Sequence, residues 1–106
     1  MVAMLKIMEI FQKMDYEVTA QVMSCFFYVA SHNNCHKQAL EDYLEIATSS
    51  GSRNTDWLSK QHRLAKPGLD LIKKEVDPSN KRRLTLVLTP KGEELIDRIE
   101  QILYGS

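Results

Sequence analysis

The chain carries few of the features that would send it out of the cell, through a bilayer or into catalysis. Its 106 residues include only two cysteines, Cys25 and Cys35. That is too few for a disulfide framework and fits reduced thiols in a cytoplasmic protein. No uncharged run approaches the roughly 20 residues that span a membrane. The opening stretch 1–14 is apolar, but Lys6, Glu9, Gln12 and Lys13 interrupt it, so it does not resemble a cleavable signal peptide. There is no Gly-rich phosphate loop, nucleophile elbow or paired metal motif. Catalysis therefore finds no support, and neither a cofactor nor a metal is expected. Internal repeats, low-complexity tracts and interdomain linkers are also lacking.

What is present is one domain's worth of chain, 43% hydrophobic, an ordinary value for a globular protein. Formal charge is zero, from 14 basic and 14 acidic residues, but its distribution is uneven. Residues 51–92 hold ten basic groups against four acidic ones, a net +6, while 1–50 and 93–106 each carry −3. A basic centre between acidic ends is the footprint of a one-sided phosphate contact.

Hydrophobic spacing predicts the elements. Met4, Ile7, Met8, Phe11 and Met14 recur at helical steps and predict a helix over 2–14. Residues 18–31 are apolar nearly all round, which marks a central buried helix ended by Ser31-His32-Asn33-Asn34. A short helix is expected at 36–44, with Ala39, Leu40, Tyr43 and Leu44 inward, and another at 47–60 with Trp57 and Leu58 as core. Residues 61–66 are either a further helical turn or a loop, stopped by Pro67-Gly68. Residues 69–76 and 83–88 read as two strands about the turn Asp77-Pro78-Ser79-Asn80. Thr89-Pro90 sets a capping hydroxyl before an N-terminal proline, opening a last helix at 90–104 with Leu95, Ile96, Ile99, Ile102 and Leu103 on one stripe. The fold class is α+β, mostly α: a winged helix-turn-helix flanked by N- and C-terminal helices, with the helix-turn-helix at 36–60 and the wing at 69–88.

Two motifs carry the functional reading. In Leu44-Glu45-Ile46-Ala47-Thr48-Ser49-Ser50-Gly51-Ser52-Arg53-Asn54, small hydroxyl residues fill the first turn of a helix and an Arg-Asn pair follows. Short polar side chains let a helix N-terminus press on a major groove, and Arg and Asn supply forked donors and acceptors for base edges. Downstream, Asp77-Pro78-Ser79-Asn80-Lys81-Arg82-Arg83 is a basic hairpin leading to Leu88-Thr89-Pro90-Lys91-Gly92. From about residue 21 to residue 95 these motifs and their order resemble the MarR family of winged-helix regulators. In that family a Gly-Leu opens the first wing strand, an Asp-Pro-x-Asp-x-Arg-like tip follows, and Leu-Thr-x-x-Gly starts the final helix.

The resemblance implies a sequence-specific, double-stranded DNA-binding regulator, a repressor competing with polymerase, and a homodimer built by the terminal helices 2–14 and 90–104. Arg53 and Asn54 would read bases. Thr48, Ser49, Ser50, Ser52 and Lys60 would position the backbone, and Lys37 and Gln38 would touch phosphate. Lys81, Arg82 and Arg83 would hold phosphates or enter the minor groove. Members often bind small aromatic ligands near the junction of the dimer and DNA-binding parts, but no residue here identifies such a pocket. The rival reading is a winged-helix adaptor that acts on polymerase or another regulator.

The chain also departs from the family pattern. Glu45 stands where Gly is usual, Gly51 and Thr55 stand where apolar residues pack the helix inward, and Asn80 replaces an acidic wing-tip residue. The segment from residue 61 to 67 looks longer than in many members, and 106 residues is short for the family. His32, Cys35 and His36 lie close in sequence but lack a fourth zinc ligand and read as polar turn residues. Cys25 reads as core, and Cys35 is the better candidate for redox sensing. Glu41, Asp42 and Glu45 read as a solvated helix face.

Overall fold

The computed structural model describes residues 1–60 and 67–105; the segment 61–66, read as a helical turn or a loop, lies outside the described residues. Among the described residues the order is α1 (Val2–Met14), α2 (Ala20–Ser31), β1 (Cys35–His36), α3 (Lys37–Leu44), α4 (Thr48–Leu58), β2 (Ile72–Asp77), β3 (Asn80–Leu88) and α5 (Pro90–Tyr104). The three strands form an antiparallel sheet in the order β1-β3-β2. This is the expected α+β winged helix-turn-helix, with α3 and α4 as its helix pair and β2–β3 as its wing.

α2 is the centre of the core, as its all-round apolarity predicts. Val22, Cys25, Phe26 and Val29 are fully buried, and the helix is started by Thr19, whose hydroxyl accepts from the Val22 amide at 3.1 Å. Phe11 of α1 meets Phe26 and Phe27 edge-on, with ring centroids 5.9 and 5.8 Å apart, the geometry that aromatic quadrupoles favour. Ile7 from α1 and Leu95 and Ile99 from α5 complete this side. The terminal helices are thus part of the single-chain core, and only a portion of their apolar surface is left over. α5 is capped as its sequence predicts, with Thr89 Oγ1 accepting from the Gly92 amide at 3.0 Å and Pro90 at the first turn.

Several boundaries differ from expectation. α2 begins at Ala20 rather than residue 18, and α4 runs from Thr48 to Leu58 rather than to residue 60. The first wing strand begins at Ile72, not residue 69, because Asp70 adopts a left-handed backbone, φ 56°. The stretch Gly68 to Leu71 has another task. Its amides bond the carbonyls of Lys60, Trp57, Ser59 and Leu58 at 2.8–3.2 Å, satisfying carbonyls at the α4 C-terminus that have no partner within the helix. Residue 36, expected in a helix, lies in β1, a two-residue strand that the sequence does not announce; Cys35 and His36 pair with Leu86 and Thr85. β3 starts at Asn80 rather than residue 83.

Candidate nucleic-acid interface

The helix-turn-helix corner is made by residue 45. Glu45 takes a left-handed conformation, φ 55° and ψ 46°, and ends α3, which is the role a Gly would fill with less strain. The Ile46 amide bonds the Glu41 carbonyl at 3.1 Å, and α4 starts two residues later. Its N-cap, Ala47, offers no side-chain acceptor, so the first amides of α4 are not bonded by a capping side chain, at the end where anions are favoured.

α4 has two faces. Gly51, Asn54, Thr55 and Leu58 are buried, while Thr48, Ser49 and Arg53 are exposed and Ser50 and Ser52 half-buried. Arg53 Nη2 lies 3.4 Å from Ser50 Oγ, and the side chain is exposed at the surface. Lys60 is exposed just past the helix end.

Asn54 does not stand beside Arg53. It is 7% exposed and donates through Nδ2 to Gln21 Oε1 of α2 at 2.7 Å. A helix turns each successive residue by about 100°, so when Arg53 faces out Asn54 faces the core. The expected base contact by Asn54 is corrected to a structural bond between α4 and α2. Trp57, expected in the core, is only partly buried, and its Nε1 donates to Asp15 Oδ2 at 2.7 Å, joining α4 to the end of α1.

Lys37 requires the same correction. It is 8% exposed, and its ammonium pairs with Glu41 one helical turn on. Its charge is paired within the fold rather than standing free at the surface. Glu41 is buried with it, contrary to the expected solvated face, whereas Asp42, Glu45 and Gln38 are exposed.

The wing is irregular at its tip. Val76 pairs with Leu84, but the next residue, Asp77, pairs with Asn80. Lys81, Arg82 and Arg83 thus stand on the strand with no paired residue opposite, a bulge that bends the hairpin. All three are exposed. The turn before them is fixed by Asp77, whose Oδ1 accepts from the Ser79 amide at 2.9 Å and the Ser79 hydroxyl at 2.7 Å. These bonds hold the Asp77 carboxyl below its ordinary pKa, with nearby His36 and Arg83 adding to the effect. The wing is tied to α4 by the Lys74–Asp56 ion pair.

The fold brings the two sequence motifs to one place. An open groove of about 490 Å³ has Lys37, Gln38, Glu41, Asp42 and Thr48 on its helix side and Asn80, Arg82 and Arg83 on its wing side. These walls come from stretches more than thirty residues apart in sequence. Asn80, Asp42 and Glu41 line the groove without having been singled out for this role; only the packing of the hairpin against α3 reveals them. Thr48 and Arg82 share the groove, while Ser49, Ser52, Arg53, Lys60 and Lys81 do not line it.

The remaining polar candidates are separate. His32 stacks on Tyr28 at 4.1 Å and donates from Nδ1 to the Tyr28 carbonyl at 3.0 Å. Among the described residues no three His, Cys, Asp or Glu side chains are grouped to hold a metal. Burial pushes the Cys25 thiol up to about 11 and raises that of Cys35 as well. Both thiols are thus disfavoured as thiolates, the reactive form. Among the described residues no helix is long and apolar enough to cross a membrane.

Compared by sequence, the chain matches no family model and no curated protein. Compared by structure, it has a MarR-like winged-helix fold. It superposes on the MepR–DNA complex of S. aureus with a TM-score of 0.74 at 17% identity, covering 95% of this chain and 76% of that one. A MarR transcriptional regulator from Methanosarcina mazei Go1 gives 0.67 at 18% identity, over 84% of this chain and 58% of that one. Reduced AbfR bound to DNA gives 0.68 at 14% identity, over 91% and 63%. The chain therefore spans about three fifths of the length of the last two. At these identities the likeness is one of fold.

Proposed function

We propose that the chain is a sequence-specific, double-stranded DNA-binding regulator of transcription that works as a homodimer. The observation that carries this reading is the groove between the start of α4 and the wing, with Thr48 and Gln38 facing Arg82 and Arg83. A duplex whose major groove takes α4 has a phosphate strand running beside it, and an adjacent minor groove within reach of a hairpin. Arg53 is the base-reading side chain of α4, since it is the exposed one with a fork of donors. Thr48, Ser49, Ser50, Ser52 and Gln38 position the backbone, with Lys60 at the far end of the helix. Lys81, Arg82 and Arg83 hold the phosphates or enter the minor groove. Two of the compared structures contain DNA, which supports the reading by analogy of fold.

The dimer rests on what the single chain leaves uncovered. Val2, Met4, Leu5 and Met8 of α1 and Leu103 and Tyr104 of α5 are exposed, while their neighbours Ile7, Phe11, Leu95 and Ile99 are buried. Burying a large apolar side chain is worth about 1.5–3 kcal/mol, so pairing these faces across a two-fold axis stabilises the assembly. It would set two copies of α4 about 34 Å apart, one turn of a near-palindromic site. Repression by blocking polymerase follows if that site overlaps a promoter.

Two measurements test the reading. Titration of random and selected duplexes at two salt concentrations is expected to show affinity that falls steeply with salt. No affinity at low salt rejects it in favour of a protein-binding winged helix. Sedimentation at micromolar concentration is expected to give a dimer, and a sharp 12.2 kDa species with and without DNA rejects the assembly.

A further inference from the structure

We propose that Glu41 is a positioning residue of the helix-turn-helix. Held by Lys37 and seated over Gly51, its side chain fixes the angle at which α4 leaves α3, and so which side chains of α4 are presented outward. The inference rests on the reading of α4 as the helix that enters DNA.

Three contacts converge on this side chain. Glu41 pairs with Lys37, and both side chains are about nine-tenths buried, at 8% and 11% exposure. The same ammonium lies 3.5 Å from the carbonyl oxygen of Thr48, the first residue of α4. The pair therefore bridges the turn rather than decorating one helix. Opposite it is Gly51, where a Cβ would sit 2.6 Å from Glu41 Cγ and 2.8 Å from Cδ. Real Cβ atoms do not make such contacts, so the Glu41 side chain keeps this seat only while residue 51 has no side chain of its own. The backbone of Glu41 takes part as well, since its carbonyl accepts the Ile46 amide that closes the turn.

A polar contact at this crossing has a consequence an apolar one lacks. Apolar packing is non-directional, whereas an ion pair and its hydrogen bonds depend on distance and angle. A buried ion pair adds little stability compared with an apolar pair of the same volume, and its best-attested use is to fix register. The inner face of α4 is Gly51, Asn54, Thr55 and Leu58; its one large apolar residue, Leu58, lies at the far end of the helix, so the end next to the turn offers little apolar surface. Gly51 also carries the helix-propensity penalty of glycine, which is offset here by the room it leaves for the Glu41 carboxylate. The mid-helix glycine and the buried charges are thus one feature.

The test separates positioning from stability. In the full chain with Cys35→Ser, spin labels at Asp42 and Arg53 read the α3–α4 distance in the free protein. Parallel unlabelled samples read the affinity for a selected duplex relative to random duplex. Glu41→Gln keeps the side-chain shape and removes the charge, Gly51→Ala drives the carboxylate from its seat, and Ile99→Val serves as a core control of lowered stability. Both helix-turn-helix variants are expected to shift or broaden the distance distribution and to lower the affinity ratio about tenfold, the scale of one base contact. Random-duplex affinity should hold, and Ile99→Val should move neither readout. If Gly51→Ala does not fold, Glu41→Gln decides alone. A Glu41→Gln protein with the distance and ratio of the Ile99→Val control overturns the proposal, and so does a moved distance with an unmoved ratio. If the unaltered chain has no affinity for duplex at low salt, the DNA reading fails separately, and the distance distribution decides whether Glu41 positions α4.

Discussion

Removing the wing's charge should change the salt dependence of DNA binding by a calculable amount. Lys81, Arg82 and Arg83 are exposed, and among the described residues none is in an ion pair. All three cations are exposed and so placed to displace counterions from phosphate. Each phosphate neutralised on a duplex contributes about 0.9 to the slope of log affinity against log salt. Changing the three residues to Ala should then flatten the slope by about 2.7 if one wing engages, and by about 5.4 if a homodimer seats two. Between about 50 and about 200 mM salt the smaller figure means that the unaltered protein loses roughly 40-fold more affinity than the variant. The assay is fluorescence anisotropy on random duplex at four or more salt concentrations, where sequence readout does not contribute. The exposed bulge is not part of the core, so thermal unfolding should be unchanged and serves as the control. An unchanged slope would show that the hairpin points away from DNA and would refute the groove as its path.

Arg53→Ala should cost about 1–3 kcal/mol on the preferred site and relax discrimination there. Asn54→Ala should instead lower stability by about 0.5–1.5 kcal/mol through the lost bond to Gln21 and weaken all duplexes alike; equal behaviour of the two variants would refute the two-faced helix. Phe11→Ala should destabilise the fold by about 3–5 kcal/mol, since the ring is fully buried between α1 and α2, and a loss under about 1 kcal/mol in urea unfolding would show that α1 is not docked on its own chain. Asp77 has a folded pKa held below its ordinary 3.8, so the order it gives the wing turn is full above that value and is lost as pH falls through the lower one. The Ser79 amide resonance should therefore titrate below 3.8, and a midpoint at or above 3.8 would count against the turn bonds.

The terminal helices were the most legible part of the fold, at 2–14 and 90–104 in both readings. Each carries a strong apolar stripe, and α5 adds a Thr-Pro start that few other conformations use. The strands were less legible. Leu69 and Leu71 are apolar and buried, so they look like strand residues, yet Asp70 breaks the extended backbone and the segment caps α4 instead. Asp and Asn enter the left-handed region more readily than most residues, but nothing local says when they do. β1 could not be read at all, because two residues become a strand only through partners fifty residues away, at Thr85 and Leu86.

The site was legible as a pair of motifs and illegible in its faces, and the reason lies in α4. Apolar periodicity marks the buried side of most helices, but here three of the four buried positions are Gly51, Asn54 and Thr55. Their polarity makes the whole helix look solvent-facing, so the sequence alone does not separate Asn54 from Arg53. One anchor was available: Leu58 is the large residue that must face inward. Counting back from it by three, four and seven reaches Thr55, Asn54 and Gly51, and leaves Arg53 outside. Each inward polar group then needs a partner, since an unbonded buried donor costs about 1–3 kcal/mol. The Thr55 hydroxyl bonds the Gly51 carbonyl at 2.8 Å, and Asn54 finds Gln21. Gly51 contributes only space, and Glu41 fills it. The same rule explains Lys37, because a carboxylate buried against a glycine needs a cation, and the one a helical turn away supplies it. Motif position alone could not separate Lys37 from the exposed cations of the wing; burial does, since Lys37 is paired with Glu41 while Arg82 and Arg83 stand exposed.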